Sequence, residues 1–513
     1  MKDEPGHFTG VGAASPETVA SEANPAAKPA VDVVDLQRRA RLGMLALAGR
    51  TVLMQLTMLG GDVYLRRQLE PVDFGLYAIV QFTLGVFVQF GDVGIASAMI
   101  RQHETPTRRQ LSTAWTLQML VALVITATLW TGAPLLRQFW PDMSPNGVWV
   151  LRALSVDVVL SSARLIPSLL MERELEYGKL SVLDVLLNGA YYVAAVGLAA
   201  TGHGVMSLAF AVIVRGTFGV IGAYALRPFR PSVVLDFQLL RPIMHFGVRF
   251  QAKNLVGFLT GAIAPVYAGR VLGQTQLGFI NLGQSTAYFP LRLVEVMARV
   301  SFPLFSRLQG EPKAFAKALE RGVVVSAMGT LFFVGLVVGL GPNLVGVVYG
   351  EKWLPALPLL YVYAGALSIG FLFPVVSPAL DALGKVGVNL RLSIGWVVSI
   401  SVLVALLTPH WGSLGFAIGY CIPVVVGNCV VLVILKRLVP DARLWPRVRA
   451  LIVGGCAVAV VGRFALAPFA TAPISFAASV LASALIFLVV VGLLDRSAID
   501  ELFSLIRRKP VAP

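Results

Sequence analysis

Apolar segments of roughly 20 residues alternate with short polar segments along almost the whole chain. These segments lie at about 42–64, 74–100, 112–133, 147–170, 178–200, 204–226, 242–268, 277–303, 319–349, 354–380, 386–408, 411–435, 448–468 and 473–494. Each is near the length that an α-helix needs to cross a bilayer. The ninth is too long for one straight crossing, so we expect its helix to start later or to project from the membrane. The pattern predicts an all-α polytopic membrane protein with about 14 transmembrane helices.

The composition agrees with this prediction and orients the chain. Of the 513 residues, 57% are hydrophobic and only 13% are charged, yet the net charge is +15. About 26 Lys and Arg residues near the membrane fall on one side of the predicted spans, and about six on the other. The six are Arg66, Arg67, Arg137, Arg270, Lys352 and Arg463. The positive-inside rule therefore places both termini in the cytoplasm. The excess charge favours contact with an anionic leaflet over binding of nucleic acid.

The chain divides into four predicted regions. Residues 1–34 are polar and rich in Pro, Ala, Glu and Ser, which indicates a disordered cytoplasmic tail. No charged segment there is followed promptly by a short apolar core, so we expect no cleaved signal peptide. Residues 35–230 hold the first six spans and 231–440 the next six. Residues 441–513 hold the last two spans and a cytoplasmic C-terminal tail.

An internal repeat relates the two groups of six spans. An ungapped offset of 203 positions superposes several polar and small residues of the seventh and eighth spans on those of the first and second. The pairs are Arg50 with Lys253, Leu56 with Leu259, Thr57 with Thr260, Arg67 with Arg270, Leu69 with Leu272, Gly75 with Gly278, Gln81 with Gln284 and Asp92 with Glu295. The copies start six helices apart, so both cross the membrane in the same direction. The sequence thus predicts two six-helix lobes related by a parallel repeat, plus two C-terminal helices.

Charged residues inside the predicted spans are mostly basic. The basic ones are Arg50, Arg152, Arg164, Arg215, Arg249, Lys253, Arg292 and Arg299, and the acidic ones are Asp62, Asp92, Asp157, Asp184 and Glu295. A charge at membrane depth is costly, so it normally faces a polar cavity or a partner. His245, Arg249 and Lys253 recur every four residues, which places them on one helix face. Arg292, Glu295 and Arg299 share a face in the same way.

From these stripes we predict a cationic cavity between the lobes. Its expected substrate-binding residues are Arg50, Arg249, Lys253, Arg292 and Arg299, and its expected coupling or charge-balancing residues are Asp92 and Glu295. Structural alternatives stay open. Asp62, Arg152 and Arg164 lie near span ends and could snorkel to the interface. Glu295 could neutralise its neighbours within one helix, and Asp92 could brace the end of the second span. Prolines at 265, 290, 374 and 378 are expected to kink their helices.

Motifs of enzymes and metal sites are missing from the sequence. There is no Gly-rich phosphate loop before Lys-Ser or Lys-Thr, and no His-Glu-x-x-His. Cys421, Cys429 and Cys456 fall in apolar segments without metal-ligand spacing, so we expect them to act as small hydrophobic residues. We therefore predict a transporter rather than an enzyme, without a catalytic residue, metal or cofactor.

Four motifs in order resemble those of a known family. They are residues 69–77 (LEPVDFGLY), 90–96 (FGDVGIA), 299–307 (RVSFPLFSR) and 349–353 (YGEKW). They are similar to conserved stretches of the polysaccharide transporter branch, which includes the Wzx-type flippases, of the multidrug/oligosaccharidyl-lipid/polysaccharide (MOP) exporter superfamily. The resemblance covers about residues 40–440. The polar N-terminal tail is longer than this region requires.

The resemblance implies a function in the bacterial inner membrane. It implies a flippase that moves polyprenyl-pyrophosphate-linked oligosaccharide outward by alternating access, for lipopolysaccharide or exopolysaccharide synthesis, beside a polysaccharide polymerase and export machinery. A cationic cavity suits the roughly two negative charges of a pyrophosphate. The alternatives are a peptidoglycan-precursor flippase, a cation-coupled drug exporter, or a membrane-embedded glycan polymerase or ligase. A drug exporter is disfavoured because its cargo is usually cationic, and a polymerase because no large outer loop is predicted.

Overall fold

The computed structural model describes residues 53–91, 99, 105–236, 261–292, 304–442 and 444–499. We call residues 53–236 the first half and residues 261–442 the second half. The first half contains α1 (53–68), α2 (Pro71–Gly91), α3 (Arg108–Gly132), α4 (Asn146–Ala163), α5 (Leu165–Arg173), α6 (Tyr177–Ala200) and α7 (Met206–Leu226). The second half contains α8 (Gly273–Ala287), α9 (Pro312–Asn343), α10 (Leu357–Gly370), α11 (Phe373–Ala382) and α12 (Val386–Leu438), and is followed by α13 (Trp445–Val461) and α14 (Pro473–Leu494).

Short helical turns extend or connect these helices. They are the 3₁₀ turns Ala133–Leu135 and Glu351–Ala356, the α-helical turns Leu136–Phe139 and Gly269–Val271, and the π-helical turns Ile263–Ala268, Leu344–Tyr349 and Gly462–Leu466. Within the described ranges the regular structure is entirely helical. The all-α prediction is therefore confirmed.

The membrane spans follow the hydrophobic pattern closely. In the described ranges, nine helical segments are long and apolar enough to span a membrane, and the pair α4–α5, bent by 46°, passes the same test together. Helix α9 begins at Pro312, before the predicted start at 319, and runs for 32 residues, so the ninth predicted span has an extension rather than a later start. Four predicted spans, 42–64, 74–100, 242–268 and 277–303, extend into residues outside the described ranges.

Helix α12 is a hairpin of two spans. Its 53 residues would measure roughly 80 Å if straight, more than twice the hydrocarbon thickness of a bilayer. Gly412 breaks it with φ 58° and ψ −136°. A Cβ on Gly415 would lie 2.2 Å from the carbonyl O of Leu407, and one on Gly419 would lie 2.8 Å from the carbonyl C of Leu403. The two arms therefore pack antiparallel, as the separate predicted spans 386–408 and 411–435 require.

The outer surface of the bundle is apolar, as a bilayer demands. Large apolar side chains stay exposed along whole helix faces, including Ile474, Leu481 and Leu493 on α14 and Val193 on α6. In water such a continuous apolar surface would drive aggregation, whereas lipid chains solvate it without cost.

The last two helices pack on the second half through small residues. A Cβ on Gly335 of α9 would lie 2.4 Å from the carbonyl O of Gly455 on α13, so the two backbones touch. One turn further, Gly339 faces the carbonyl O of Ala459 at 3.0 Å in the same way. Close backbone approach through small residues is the usual basis of helix packing in membranes. The side chain of Asn343 caps the contact by donating to the carbonyls of Ala467 and Ala470, each at 3.0 Å.

Three of the four prolines expected to kink their helices, Pro265, Pro290 and Pro374, lie at interruptions of the helices, whereas α11 continues through Pro378. Pro265 lies in the π-helical turn Ile263–Ala268, and Pro290 follows a break at Tyr288. Pro374 lies in the first turn of α11, just after the chain leaves α10, and Pro378 lies inside α11. Each proline removes a backbone donor and its ring crowds the preceding turn, which explains the local breaks.

Candidate functional site at the interface of the two halves

Helices α2 and α8 touch through their backbones at two glycines. A Cβ on Gly75 would lie 1.8 Å from the carbonyl O of Gln274, and one on Gly278 would lie 2.0 Å from the carbonyl O of Pro71. Side chains larger than a hydrogen atom are excluded at both positions. The offset of 203 converts one contact into the other, because it relates Pro71 to Gln274 and Gly75 to Gly278. The repeat is therefore visible in three dimensions as a pseudo-twofold contact between the halves.

Two equivalent arginines reach across the same interface. Arg67 donates from Nε to the carbonyl O of Val348 at 2.9 Å and from Nη2 to that of Val347. Arg270 donates from Nη1 to the carbonyl O of Phe139 at 2.7 Å. The acceptors lie in the turns that follow α9 and α3, the third helices of the two repeats. Carbonyls at helix C-termini lack intrahelical donors and carry partial negative charge, so each arginine satisfies the other half's helix end.

Arg66 is the buried centre of this interface, with only 3% of its surface exposed. Its Nε donates to Oδ2 of Asp62 at 2.8 Å, one helical turn earlier. Its Nη2 donates to Oδ1 of Asn281 at 3.2 Å and to Oγ of Ser285 at 3.3 Å, both on α8 of the second half. A guanidinium out of water needs such partners to offset its lost hydration. The ion pair with Asp62 thus orients the Arg66 guanidinium for its two hydrogen bonds to the second half.

Three aromatic rings enclose the same guanidinium. Its central carbon lies 4.6 Å from the ring centroid of Phe74, 5.3 Å from that of Trp353 and 5.8 Å from that of Tyr349. Cation–π attraction is strongest in such desolvated positions. Trp353, which is fully buried, also donates from Nε1 to the carbonyl O of Arg66 at 2.7 Å. Two of the family-like motifs, 69–77 and 349–353, therefore meet around one arginine.

Weaker contacts surround this centre. Trp140 donates from Nε1 to the carbonyl O of Pro265 at 3.2 Å, and Gln274 donates from Nε2 to that of Asp142 at 3.1 Å. Lys352 pairs with Glu70 at 3.2 Å, an exposed pair of small energetic value. We call the set formed by Arg66, Arg67, Arg270, Trp353 and the Gly75–Gly278 contact the latch. The latch holds the two halves together at one end of the helix bundle. The distribution of Lys and Arg among the loops predicts that this end faces outward.

Of the seven predicted site residues, Arg292 is the one that lies within the described ranges. It is exposed and lines a cavity of about 530 Å³ just beyond the end of α8, and all the described residues that line this cavity belong to the second half. Other described residues lining the cavity are Tyr288, Leu291, Leu367, Gly370, Phe373, Pro374, Ser377, Pro378, Trp396, Val424 and Asn428. Arg292 is the charged side chain among them.

Six of the seven predicted site residues lie outside the described residues. These are Arg50, Asp92, Arg249, Lys253, Glu295 and Arg299. Their assignment to a phosphate-binding or coupling role stays a prediction from the sequence.

Three further charges of the first-half spans, Asp157, Arg215 and Arg152, have structural partners. Asp157 and Arg215 form an ion pair at 2.8 Å between α4 and α7. Arg152 stacks on Trp149 at 4.9 Å and donates from Nε to the carbonyl O of Trp130 at 3.2 Å, an arrangement typical of a membrane-interface anchor. Asp62 differs from the expectation that it snorkels, because it accepts from the buried Arg66 instead.

Sequence reasoning missed the latch because hydropathy places Arg66, Arg67, Arg270 and Lys352 in short loops. One signal was available in the sequence, because Arg67 and Arg270 are equivalent under the repeat. Arginines that only helped to orient the chain in the membrane would not need to occupy equivalent positions. Their acceptors are backbone carbonyls, which leave no trace in the sequence.

The fold is that of known membrane transporters. The lipid II flippase MurJ, in an inward closed conformation, superposes with a TM-score of 0.67 over 89% of this chain and 99% of that chain, at 13% identity. An inward-facing multidrug resistance MATE family transporter of the MOP superfamily superposes with a TM-score of 0.61 over 80% of this chain and 98% of that chain, at 15% identity. At such identities the likeness shows the fold alone, and it confirms the predicted MOP-type architecture.

Three relatives in sequence are each 24% identical to this chain. The teichuronic acid biosynthesis protein TuaB of Bacillus subtilis (strain 168) aligns over 56% of this chain and 59% of its own length. For the lipopolysaccharide biosynthesis protein WzxC of Escherichia coli (strain K12) the shares are 62% and 64%. The succinoglycan biosynthesis transport protein ExoT of Rhizobium meliloti (strain 1021) aligns over 87% of this chain and 92% of its own. The match thus spans less than two thirds of the first two relatives.

A family assignment follows from the chain itself. Residues 64–358, more than half of the sequence, match the family described as polysaccharide biosynthesis protein. This chain belongs to that family, and the resemblance inferred from its four motifs is confirmed.

Proposed function

We propose that this protein is a flippase for polyprenyl-pyrophosphate-linked oligosaccharide in bacterial surface polysaccharide biosynthesis. It moves its substrate from the cytoplasmic to the periplasmic leaflet of the inner membrane by alternating access. Both termini are cytoplasmic in this proposal, and residues 35–230 and 231–440 form the moving lobes. The product would then pass to a polysaccharide polymerase and export machinery.

The pseudo-twofold latch is the observation that carries the proposal. Alternating access needs two halves that separate at one end while they close at the other. The latch consists of hydrogen bonds to carbonyls, cation–π contacts and touching glycines, set within an apolar core that both halves share. Arg292 lies exposed in a cavity that shares none of the latch residues, and we propose that a substrate entering from the opposite end meets it there.

The relatives favour a saccharide cargo. Their names refer to the synthesis of teichuronic acid, lipopolysaccharide and succinoglycan. A drug exporter would more often need a cavity that attracts cations. Arg292 supplies the opposite charge, and Arg50, Arg249, Lys253 and Arg299 are proposed to add to it. Arginine forks and lysine point charges both suit the oxygens of a pyrophosphate. Asp92 and Glu295 are proposed to balance these charges or to couple transport to an ion.

The test is transfer of fluorescent polyprenyl-pyrophosphate oligosaccharide across vesicles containing equal amounts of each variant. Alanine at Arg50, Arg249, Lys253 or Arg292 should slow flipping roughly ten- to a hundredfold, the effect of losing one charge-assisted hydrogen bond. Arg292→Lys should retain part of the activity, because the charge survives but the bidentate fork does not.

Arg463→Ala is the matched control, since Arg463 lies in the turn after α13 and away from the cavity. It should flip at the parental rate. Parental rates in all four alanine variants would disprove the cationic cavity. Failure of the parental protein to flip this substrate, with activity on a cationic drug instead, would disprove the proposed cargo.

A further inference from the structure

A second apolar cavity lies on the seam between the two halves, beside the latch. Its volume is about 520 Å³. The described residues lining it are Phe82, Thr83, Val86 and Phe87 of α2; Thr128, Leu129 and Gly132 of α3; Leu135, Leu136, Phe139 and Trp140 after α3; Leu151 of α4; and Val266 and Arg270 of the second half. It shares none of these residues with the cavity that contains Arg292. We call this cavity the seam groove.

The seam groove has the size and chemistry of a site for a lipid chain. A cavity of roughly 150 Å³ accepts one benzene ring, so 520 Å³ has room for roughly twenty carbon atoms. The lining is almost wholly apolar, with aromatic rings from both α2 and the turn after α3. A peptide segment would bring backbone donors and acceptors that such a lining leaves unsatisfied, whereas a hydrocarbon chain brings none.

The groove opens to the side of the bundle. At its rim Phe139 is 62% exposed, Leu135 is 56% exposed and Val266 is 41% exposed. These apolar side chains belong to the surface that faces the bilayer. Lipid can therefore enter the groove without passing through the interior of the protein.

Arg270 supplies the charge that selects the headgroup. It is exposed, and it is the charged side chain among the described lining residues. Its Nη1 donates to the carbonyl O of Phe139, whereas its equivalent, Arg67, uses both Nε and Nη2 on carbonyls. The Arg270 fork thus has donor capacity left at the mouth of an apolar groove. Phosphate oxygens match that geometry.

We propose that the seam groove binds one acyl chain of an anionic phospholipid from the surrounding leaflet, with its phosphate on Arg270. Twelve of its fourteen described lining residues belong to the first half, and Val266 and Arg270 of the second half complete it, so separating the halves would remove this wall and its charge. A lipid that binds only the closed arrangement stabilises that arrangement. The bound phospholipid therefore favours the latched state and makes the transport cycle sensitive to the anionic lipid content of the membrane.

Trp140 lines the groove and reports its occupancy. The protein is reconstituted into vesicles in which one tenth of the lipid is brominated phosphatidylglycerol or, in matched vesicles, brominated phosphatidylcholine. The Trp140 signal is the fluorescence of the full protein minus that of the Trp140→Phe variant. We expect brominated phosphatidylglycerol to quench this signal with about fivefold higher apparent affinity. That ratio corresponds to about 1 kcal/mol, the typical contribution of one arginine at an anionic surface.

Three variants test the assignment. Arg270→Gln should remove the preference between the two lipids. Val266→Phe should fill the mouth and reduce quenching by both lipids, without touching the charge. Arg137 is an exposed arginine on the turn Leu136–Phe139 and does not line the groove. Arg137→Gln should therefore keep the parental preference for phosphatidylglycerol. Equal quenching by both lipids in the parental protein, or an unchanged preference in Arg270→Gln, would overturn the proposal. So would parental quenching in Val266→Phe.

Discussion

The backbone contact between α2 and α8 makes the sharpest prediction. Alanine at Gly75 adds a Cβ that would lie 1.8 Å from the carbonyl O of Gln274, and alanine at Gly278 adds one 2.0 Å from that of Pro71. Real Cβ contacts essentially never fall below 3.0 Å. The obstacle is a carbonyl fixed in a helix rather than the movable end of a side chain. The two helices must therefore separate wherever either alanine is present.

The magnitude follows from the cost of overpacking. Inserting a methyl group into a close-packed contact costs roughly 1–3 kcal/mol. The latched state carries this cost, whereas a state in which the halves are separated at this end does not. The ratio of latched to open molecules should therefore fall roughly fivefold to more than a hundredfold. The double variant should exceed either single one, because the two clashes are separate.

Thiol accessibility measures this ratio. Ser285, on α8 beside Arg66, is changed to Cys in a chain whose native cysteines are replaced by serine. An impermeant maleimide is then added to intact cells. In the latched parent we expect slow labelling, because this position is only partly exposed and the Arg66 guanidinium lies 3.3 Å from the Ser285 Oγ. Gly75→Ala and Gly278→Ala should raise the labelling rate in proportion to the open population.

Gly346→Ala is the control. This glycine lies in the turn that carries the acceptors of Arg67, and a Cβ there would meet no atom within 4 Å. It should label at the parental rate. If Gly75→Ala and Gly278→Ala label no faster than Gly346→Ala, the latch does not control access from this side, and the reasoning from the glycine contact is wrong.

Three further predictions concern the latch, the α12 hairpin and the topology. Arg66→Ala removes the hydrogen bonds to Asp62, Asn281 and Ser285, but water can hydrate the 42%-exposed Asp62 that remains, so thermal unfolding in detergent should show a loss of roughly 1–3 kcal/mol; an unchanged midpoint would contradict the stabilising role of Arg66. Gly412→Ala forces a side chain into φ 58° and should cost roughly 1–3 kcal/mol in the same assay, whereas Gly365→Ala, in open space, should cost less than half of that. Single cysteines at Gly273 and Ser413 should react with the impermeant reagent from outside. Single cysteines at Thr107 and Ala314 should not.

Much of the helix plan could be predicted from the sequence, because a bilayer imposes strong constraints on each segment alone. Every backbone group must be satisfied within its own helix, and each helix must be apolar over a fixed length. The hairpin at Gly412 could be predicted for the same reason, since 53 apolar residues are too many for one crossing. Only local details escaped, such as the start of α9 at Pro312.

The candidate site was predicted less completely. Arg292 was selected because it is a charge deep in an apolar span, and it does lie in a cavity. Depth did set Arg152 apart, near a span end, but it could not distinguish the role of Asp157 from that of Arg292, because the partner of Asp157, Arg215, follows from how the helices pack. Hydropathy reports how costly a charge is in lipid, but it does not report what the charge faces.

The sequence by itself determined the class of protein, the crossings and the duplication, because these depend on residue types at regular spacings along one chain. Only the tertiary structure decided that the two copies of the repeat contact each other through equivalent residues. Arg66 and Trp353 are 287 positions apart, and the carbonyls bound by Arg67 and Arg270 belong to every residue type alike. The latch consists of backbone acceptors, touching glycines and long-range aromatic contacts. Such contacts depend on which surfaces meet, and the surfaces meet only when both halves are folded and packed.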